Sequence, residues 1–252
     1  MNPRISIITV SLNAASTIER AIQSVLAQGY KHIEHIIVDG GSTDSTPEIV
    51  RKYPHIKFSW EKDQGQSDAM NKGFDNSTGE LIVYLNADDE FAPGVFDKVI
   101  KAYERTNRSG KFMIVMDLLI EESGGLHWTA VPSLTFSDIA DPGKMLFPFN
   151  PLSYFYHRHV QEVVGKFPIE LKYAMDYYFL LRAYKLAEIL YEPFVAGTFY
   201  NFDNKTREKK SSELQGLQVL ISYYKKKMPF VFVFHPNVIK AKRIMGQLNK
   251  GM

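Results

Sequence analysis

Acidic residues stand directly after two of the most apolar segments of this chain. Asp39 follows the run 36–38 (IIV), and Asn86-Ala87-Asp88-Asp89 follows the run 81–85 (LIVYL). Carboxylates presented together at one sheet edge repel each other unless a cation or hydrogen-bond donors lie between them. A hard divalent cation that also bridges phosphate oxygens meets this need, because Mg²⁺ and Mn²⁺ prefer few carboxylates together with substrate phosphate. The spacing therefore predicts a metal-assisted site for a phosphorylated ligand.

Alternating strands and helices in the first half of the chain would bring these acids together. Short β-branched runs with almost no polar residue are typical of parallel strands that are covered on both faces. Helices are predicted after Ser16, which stands at capping-box distance from Glu19, after Thr46 with Pro47 in the first turn, and over residues 175–191. The predicted strands are 5–10, 36–38, 81–85 and 112–116. This order predicts an α/β fold with a doubly wound, mostly parallel sheet, whose ligand lies beyond the carboxyl ends of the strands.

Composition and missing motifs exclude several classes of protein. The 252 residues contain 45% hydrophobic and 23% charged residues, which is ordinary for a globular enzyme. Cysteine is absent, which excludes disulfides, a thiolate nucleophile and a zinc–thiolate site, and no signal peptide pattern is present, so a cytoplasmic location is expected. The loop 11–17 (SLNAAST) lacks the glycines of a dinucleotide-binding fold, and no GxxxxGK[ST] motif occurs. Nothing in the sequence indicates a nucleic-acid partner.

Five segments in a fixed order resemble the inverting nucleotide-sugar glycosyltransferases of family 2. The segments are SIITVSLN, IIVDGGSTDST, DQGQSDAMNKG, YLNADDEF and, further downstream, AMDYYFLLRA. The resemblance is close over residues 4–105 and looser over 148–200, and the ordered combination is far more specific than any single motif. It implies a GT-A fold, in which a Rossmann-like sheet is flanked by helices, and a nucleoside diphosphate sugar as donor, with UDP as the expected nucleotide.

The resemblance implies donor-binding roles for residues at the strand ends. Thr9 and Ser11 match positions that line the nucleotide, and Asp39 matches the acid that accepts the N–H of the base. Asp68 and Lys72 match the segment that runs beside the ribose and the diphosphate.

The resemblance also implies a metal ligand and a catalytic base. Asn86, Ala87 and Asp88 occupy the position of the DxD motif of the family, with Asp88 as the ligand of Mn²⁺ or Mg²⁺. Asn86 replaces the first acid of that motif. Asp176 matches the catalytic base, preceded by Met175 where an acid is frequent. The implied reaction is an inverting, metal-dependent transfer of a sugar to a hydroxyl group of a glycan or lipid-linked acceptor, in bacterial surface polysaccharide synthesis.

Simpler interpretations stay open for the same residues. The segment 86–89 could be a surface turn, and Asp176 could only stabilise a helix dipole. Ser42 and Asp44 suit turn and capping roles, Trp60 suits the core, and His157 is an acceptor-side candidate. Two other functions also remain. A sugar nucleotidyltransferase would share the acidic edge, although it would favour a Gly-rich loop containing arginine after the first strand, and a non-catalytic nucleotide-sugar-binding module would need neither Asp88 nor Asp176.

Charge divides the chain unevenly along its length. Seven basic residues and no acidic residue follow Glu213, which leaves residues 1–213 with a net charge of −5 within a total of +2. We therefore predict a nucleotide-sugar-binding half (1–110), an acceptor half (111–214) with a lid loop over 201–212, and a basic, aromatic C-terminal tail (215–252). Such a tail suits an anionic membrane surface, or it packs as a helix on the body.

Overall fold

Four parallel strands form the first half of the sheet in the order β3-β2-β1-β4; apolar runs predict three of them, and β3 (Lys57–Trp60) is not among the predicted strands. In β1 and β2 almost every residue is buried, as expected for strands covered on both faces. The computed structural model describes residues 2–106, 110–122, 125, 127–130, 134–144, 148, 150–201, 209–229 and 232–250. The four strands are β1 (Ile5–Ser11), β2 (Ile33–Asp39), β3 (Lys57–Trp60) and β4 (Leu81–Tyr84). The predicted parallel arrangement is confirmed here.

The second half of the sheet is mixed in direction. Strand β8 pairs antiparallel with both β4 and β6, β9 runs parallel to β6, and the short β5 and β7 pair antiparallel with β9 and β6. These strands are β5 (Glu90–Phe91), β6 (Phe112–Glu121), β7 (His127–Ala130), β8 (Tyr154–His157) and β9 (Glu188–Tyr200). Because β8 reverses direction beside β4, the segment before β8 comes back to the carboxyl end of β4.

Helices cover both faces of this sheet. Alternate residues of each strand point to opposite faces, so Ile8 belongs to the hydrophobic cluster that includes α3, α6, α7, α8 and α9, whereas Ile7 belongs to the cluster that includes α1 and α4. The helices are α1 (Ile18–Leu26), α2 (Thr46–Val50), α3 (Gln66–Asp75), α4 (Val95–Glu104), α5 (Phe136–Ile139), α6 (Arg158–Val164), α7 (Met175–Leu186), α8 (Lys209–Lys227) and α9 (Pro236–Lys250). Helix α3 lies so close to β1 that a Cβ atom at Gly73 would collide with Ile8.

Two predicted helix boundaries are wrong. Helix α1 starts at Ile18 with Thr17 as its N-cap residue and has no side-chain cap, so the predicted capping box of Ser16 and Glu19 does not form. Helix α7 ends at Leu186, and Leu190 belongs to β9 instead of the predicted helix. The apolar spacing continues past Leu186, but pairing with β6 in the middle of the sheet overrides the local pattern.

The C-terminal segment packs on the sheet as two helices. Leu217, Leu220 and Tyr223 of α8 and Val238 and Ala241 of α9 are buried in the same hydrophobic cluster as α7. The predicted boundary at residue 215 falls inside α8, because the apolar face of that helix continues across it. Residues 209–212 of the predicted lid loop belong to α8, and residues 202–208 lie outside the described residues.

Within the described ranges, no helix combines the length and the apolar content that crossing a bilayer requires.

Candidate active site

The carboxyl ends of the parallel strands meet at one edge, and most of the predicted site residues lie there. Ser11 pairs with Asp39, and Asp39 pairs with Trp60. The loop 86–89 follows directly, because Leu85 still donates its N–H to Ile8 O at 2.9 Å. The N-termini of α3 and α7 reach the same edge, where Ser67 Oγ lies 2.8 Å from Met175 Sδ. The position of the site relative to the sheet agrees with the prediction from strand order.

Thr9 is closed off from this edge. Its side chain is fully buried, and Thr9 Oγ1 lies 3.0 Å from His35 Nε2. Burial lowers the pKa of His35 to about 3, so the imidazole is neutral at physiological pH. The expectation that Thr9 lines the nucleotide does not match this structure, because its hydroxyl is buried in the core against His35.

Asp39 organises the loop that follows β2. The carboxylate is fully buried, and both oxygens accept hydrogen bonds from within the chain. Oδ2 accepts from Ser11 Oγ and Ser42 Oγ, each at 2.7 Å, while Oδ1 accepts from Ser42 N at 2.7 Å and Gly41 N at 3.1 Å. These four donors use up the acceptor capacity of Asp39, which differs from the expectation that it contacts a base. Ser42 has the predicted turn role.

Asp68 and Lys72 form an ion pair on the first turns of α3. Lys72 Nζ lies 3.3 Å from Asp68 Oδ2 and 3.2 Å from Glu61 Oε1. Asp68 Oδ2 also accepts from Gln64 N at 3.1 Å, which ties the helix start to the loop after β3. Asp68 and Lys72 are each partly exposed at the edge, so both remain available to a ribose or a phosphate.

The acids of the loop 86–89 have unequal environments. Asp89 is fully buried and accepts from Asn86 Nδ2 and Asn150 Nδ2, each at 2.8 Å, and from Tyr200 N at 3.2 Å. Asp88 is half-buried, and no described side chain donates to its carboxylate. Burial raises the pKa of both acids, and the charge of Asp88 raises the pKa of Asp89 further.

The residues around Asp88 fit a divalent cation that also binds a phosphorylated ligand. Arg20 lies near enough for its charge to favour ionised Asp88, but no described side chain donates a hydrogen bond to that carboxylate. Asn86, whose amide N–H donates to Asp89, keeps Oδ1 as a free acceptor among the described residues. In that same part of the chain, no three His, Cys, Asp or Glu side chains form a complete cation site. The ligand itself would therefore have to supply further oxygens, as magnesium and manganese sites commonly require. Ala87 is buried among Ile18 and Val50 and offers only its backbone.

Three residues that sequence reasoning missed hold this loop in place. Arg20 Nη2 donates to Asp88 O at 2.6 Å, and the guanidinium lies 3.8 Å from the ring centroid of Tyr200. Tyr200 OH donates to Glu90 Oε1 at 2.6 Å. Asn150 is buried and ties the segment before β8 to Asp89. These contacts join residues that are far apart in sequence, so no local pattern announces them.

Asp176 has the environment of a general base. It lies in the first turn of α7, and its Oδ1 is buried without a hydrogen-bond partner among the described residues. Burial raises the pKa of Asp176 to about 7. Three buried tyrosines, Tyr84, Tyr154 and Tyr156, lie near Asp176. Burial raises the pKa of each tyrosine, and the charge of Asp176 raises it further. A carboxylate with a pKa near neutrality is suited to accept a proton.

The remaining sequence candidates have different positions. His157 pairs with Leu81 at the start of β4, which places it at the opposite end of the sheet from the site. Trp60 ends β3 at this edge and is 53% exposed, so the prediction of a core position is wrong. Trp128, which the sequence offers as a platform for a sugar ring in the acceptor half, has a side chain that lies outside the described residues. Asp44 accepts from Thr46 N and Ala15 N, which is the predicted turn role.

An open cavity of about 690 Å³ lies at the amino end of the strands and does not belong to this site. It is lined by Asn2, Pro3, Arg4, His32, Thr78 and Glu80. The nearby carboxylate of Glu34 is saturated by Ser6 Oγ, Gly79 N and Lys57 Nζ, so its role there is structural. The acidic carboxyl-end edge therefore remains the candidate active site on chemical grounds.

Comparison with known sequences points to one family. The family model described as Glycosyl transferase family 2 matches residues 6–121. A glycosyltransferase of Nostoc sp. is 36% identical over 112 residues, which cover 42% of this chain and 35% of the Nostoc protein. A glycosyltransferase of Mycobacterium tuberculosis is 29% identical over 189 residues, which cover 74% of this chain and 71% of that protein. The chain thus spans about a third of the Nostoc relative and about two thirds of the mycobacterial one.

Solved structures share the fold at low sequence identity. TarS of S. aureus, crystallised with UDP-GlcNAc, superposes with a TM-score of 0.69 at 16% identity, covering 97% of this chain and 71% of TarS. The mannosyltransferase PcManGT of Pyrobaculum calidifontis, crystallised with GDP-Man and Mn²⁺, gives a TM-score of 0.62 at 18% identity, covering 97% of this chain and 70% of that one. These similarities confirm the predicted GT-A type of fold.

Proposed function

This chain belongs to glycosyl transferase family 2, and on that basis we propose that it transfers a sugar, with inversion, from a nucleoside diphosphate sugar to an acceptor hydroxyl. The observation that carries the proposal is Asp176, a partly buried acid whose Oδ1 is buried without a hydrogen-bond partner among the described residues and whose pKa is near neutrality. The start of α7 that carries it contacts the start of α3 at the same edge as Asp88. A general base and a phosphate-side acid at one edge are what such a displacement needs.

Each residue of the edge has a proposed task in this reaction. Asp176 accepts the proton of the attacking hydroxyl, which makes the oxygen nucleophilic as it approaches the anomeric carbon. Attack from the face opposite the leaving diphosphate inverts that carbon. Lys72 and Asp68, partly exposed on α3, bind the ribose and diphosphate, and Arg20 fixes the backbone at Asp88.

A divalent cation, Mn²⁺ or Mg²⁺, is part of the proposal. Asp88 is the protein ligand, with Asn86 Oδ1 as a neighbouring acceptor. Bound there, the cation would neutralise the diphosphate and stabilise the charge of the leaving group. Crystallisation of PcManGT with Mn²⁺ supports this assignment by similarity of fold.

We expect UDP to bind at least tenfold more weakly after treatment with EDTA. Without a cation, the diphosphate approaches the negative charge of Asp88, and the two repel. Isothermal titration calorimetry of UDP with the full chain, in Mn²⁺ and in EDTA, measures the difference. Equal affinities in the two buffers would contradict the metal assignment.

The products separate glycosyl transfer from the two other functions. A nucleotidyltransferase releases or consumes pyrophosphate, whereas sugar transfer releases a free nucleoside diphosphate. A binding module releases neither.

A thermal-shift screen of nucleotide sugars with Mn²⁺ first identifies the donor, because a bound ligand raises the unfolding midpoint. The donor is then incubated with glycan and lipid-linked acceptors, and release of nucleoside diphosphate is measured. UDP-sugars come first, since TarS was crystallised with UDP-GlcNAc.

The surface of the C-terminal helices supports a lipid-linked acceptor at an anionic membrane. Phe234 is 75% exposed and Ile239 is 54% exposed, although both are large and apolar. Exposed basic residues lie near them along the chain, at the end of α8 and on α9. We define this basic C-terminal patch as Lys225, Lys226, Lys227, Val233, Phe234, Ile239, Lys242 and Arg243. Apolar side chains that insert between headgroups, with nearby basic residues worth roughly 1 kcal/mol each, give reversible membrane binding.

We expect the full chain to sediment with vesicles that contain anionic phospholipid at low salt. The double variant Phe234→Ser, Ile239→Ser should lose at least half of the bound fraction, because the apolar contacts are removed. Val163→Ser is the matched control, since Val163 is 53% exposed on α6 and lies outside the patch. Truncation near residue 216 is unsuitable because Leu217 and Leu220 belong to the core.

Salt and lipid composition complete this test. Binding should weaken steeply as ionic strength rises, because exposed charges are screened over about 8–10 Å. Equal sedimentation with neutral vesicles, or equal binding of the double variant and the wild type, would contradict a role of the patch at an anionic membrane.

A further inference from the structure

We propose that the buried side of Asp176 is a binding site for internal water, and that Tyr154 hydrogen-bonds through this water to Asp176 Oδ1 and so holds the carboxylate in its working orientation. Tyr154 is thus a positioning residue, because it acts on the acceptor hydroxyl only through Asp176. The role of Asp176 as a base rests on the proposed function, whereas the water site does not.

Four buried polar atoms beside α7 have no hydrogen-bond partner among the described residues. They are Asp176 Oδ1, Tyr154 OH, Gln161 Nε2 and Tyr184 OH. Tyr154 and Gln161 are each 1% exposed and Tyr184 is 5% exposed, so bulk solvent does not reach these hydroxyl and amide groups. Nearly all buried polar groups in folded proteins have a partner, which is a protein group or an ordered water.

Three of these side chains lie close to one another. Burial raises the pKa of Tyr154, and the charges of Asp176 and Tyr184 raise it further, so Tyr154 on β8 is near both. Asp176 and Tyr184 lie about two turns apart on α7. Long helical side chains point back toward the N-terminus of their helix, so the ring of Tyr184 extends toward the turn that carries Asp176.

Gln161 on α6 joins this group to two further tyrosines. Gln161 Oε1 accepts from Tyr156 OH at 2.5 Å and from Tyr84 OH at 3.3 Å. Both tyrosines are near Asp176, because its charge adds to the burial that raises their pKa values. With Oε1 in use, Nε2 is the part of this amide that is left to donate.

Internal water matches the chemistry of these atoms. A buried water typically makes about three hydrogen bonds to polar groups that have no other partner. Tyr154 OH and Gln161 Nε2 can donate to a water, and a water can donate to Asp176 Oδ1, which only accepts when ionised. A tyrosine and a carboxylate that do not touch are thereby connected.

The two oxygens of Asp176 have separate tasks in this arrangement. Asp176 is partly exposed, and Oδ1 is its buried oxygen, which leaves Oδ2 for the acceptor hydroxyl. A hydrogen bond at Oδ1 fixes the orientation of the carboxylate and favours its ionised form. Burial raises the pKa of Asp176 to about 7, and loss of the bond to water should raise it further.

Charged groups on the elements packed against α7 do not cause this shift. Among the described residues, burial is its one cause. Glu213 on α8 is partly exposed, and the three facing tyrosines keep their protons because burial raises their pKa values. The other acids on these elements pair with cations, namely Asp68 with Lys72 and Asp75 with Lys166 on α3, Asp138 with Lys144 on α5, and Glu162 with Arg158 on α6.

Unfolding midpoints at about pH 5.5 and about pH 8.5 test the water-mediated contact without any substrate. We expect Tyr154→Phe to lower the midpoint by about 2 °C or more beyond its effect at the lower pH when the pH is high, because folded Asp176 is then ionised and has lost its donor. This excess should disappear in the Asp176→Asn background. Tyr177→Phe is the matched control, since Tyr177 is buried on the same helix but donates to Ile139 O at 2.9 Å. Its effect should be the same at both pH values.

The pH profile of kcat tests the positioning role. For Tyr154→Phe, the rising limb of kcat should move to higher pH by about half a unit or more, while kcat at high pH stays within about threefold of wild type. The KM for the donor should not change. Tyr177→Phe should keep the wild-type profile.

The outcomes separate this inference from the proposed function. If Tyr154→Phe is at least as stable as wild type at both pH values, its hydroxyl has no partner and the water site is wrong. An unshifted kcat profile overturns the positioning role alone. Absence of sugar transfer by the wild type contradicts the proposed function, and the midpoints still decide on the water site. A high-resolution crystal structure needs no variant: we expect an ordered water within hydrogen-bond distance of Tyr154 OH and Asp176 Oδ1, and a dry core there overturns the inference.

Discussion

Asp88→Ala is expected to abolish sugar transfer, with a loss of at least 10³-fold, and to remove the effect of Mn²⁺ on nucleotide binding. Asp88 is the half-buried acid of the loop 86–89 whose carboxylate accepts no hydrogen bond from a described side chain, so it is the acid that remains available to a cation. Removing one group that stabilises developing charge commonly costs 10²–10³ in rate, and here a cation would be lost as well. Nucleoside diphosphate release and calorimetry with and without Mn²⁺ measure the two effects.

Asp89→Ala provides the contrast, because Asp89 has a structural role next to Asp88. Loss of Asp89 leaves Asn86, Asn150 and the N–H of Tyr200 without their acceptor. We expect the unfolding midpoint to fall and transfer to suffer less than in Asp88→Ala. Asp88→Ala should keep its midpoint, since burial disfavours the ionised form of Asp88 in the folded chain. A greater loss of metal response in Asp89→Ala would show that the wrong acid has been assigned.

Asp176→Asn is expected to reduce transfer by about 10² or more while donor affinity stays within about twofold. The amide keeps the shape of the side chain but cannot accept the proton, and general base catalysis is typically worth 10²–10⁴. Asp97→Asn is a matched control, because Asp97 lies in the first turn of α4, away from the site. A role limited to the helix dipole would give both variants the same small effect. Full activity of Asp176→Asn would eliminate this residue as the base.

The pH dependence of the same variant adds a second measurement. Burial raises the pKa of Asp176 to about 7, well above about 3.9 in an unfolded chain. The folded state then binds the proton more tightly, so this group lowers stability as pH rises from about 4 to 7. Wild-type kcat should rise through pH 7 as the base ionises, whereas Asp176→Asn should be at least as stable as wild type at pH 8. A lower midpoint of the variant at pH 8 would indicate a structural role.

Local patterns were sufficient to predict three of the four parallel strands, but not β3, whose sequence KFSW is only partly apolar. Short apolar runs identify β1, β2 and β4 because strands that are buried on both faces carry few polar residues, and acids at their ends identify the edge. The mixed half was less predictable. The continued apolar spacing past Leu186 favours a helix, and only pairing with β6 makes residues 188–200 a strand.

Within the site, the motifs predicted where most of the residues lie, but not the contacts that each side chain makes. Asp88, Asp176, Asp68 and Lys72 lie at the expected edge, but Thr9 is sealed inside the sheet. Side-chain saturation depends on which donors converge in three dimensions, and sequence spacing does not contain that information.

Contacts between distant residues were also beyond the reach of the sequence. Arg20 on α1 contacts the backbone of Asp88 and the ring of Tyr200, and these positions are joined only by the folded sheet. The same holds for Asn150 and Asp89.

The contact of Gly73 with Ile8 has a consequence for the motions of the donor site. Helix α3 lies so close to β1 that only glycine fits at position 73 without a shift of Ile8 or of the helix. We therefore expect Asp68 and Lys72 to be held on a packed helix before a nucleotide arrives, so that binding there loses little conformational entropy. The amides on the sheet-facing side of α3 should exchange slowly with solvent, whether or not a nucleotide is bound. Ordering on ligand binding is then concentrated in the loops around this helix.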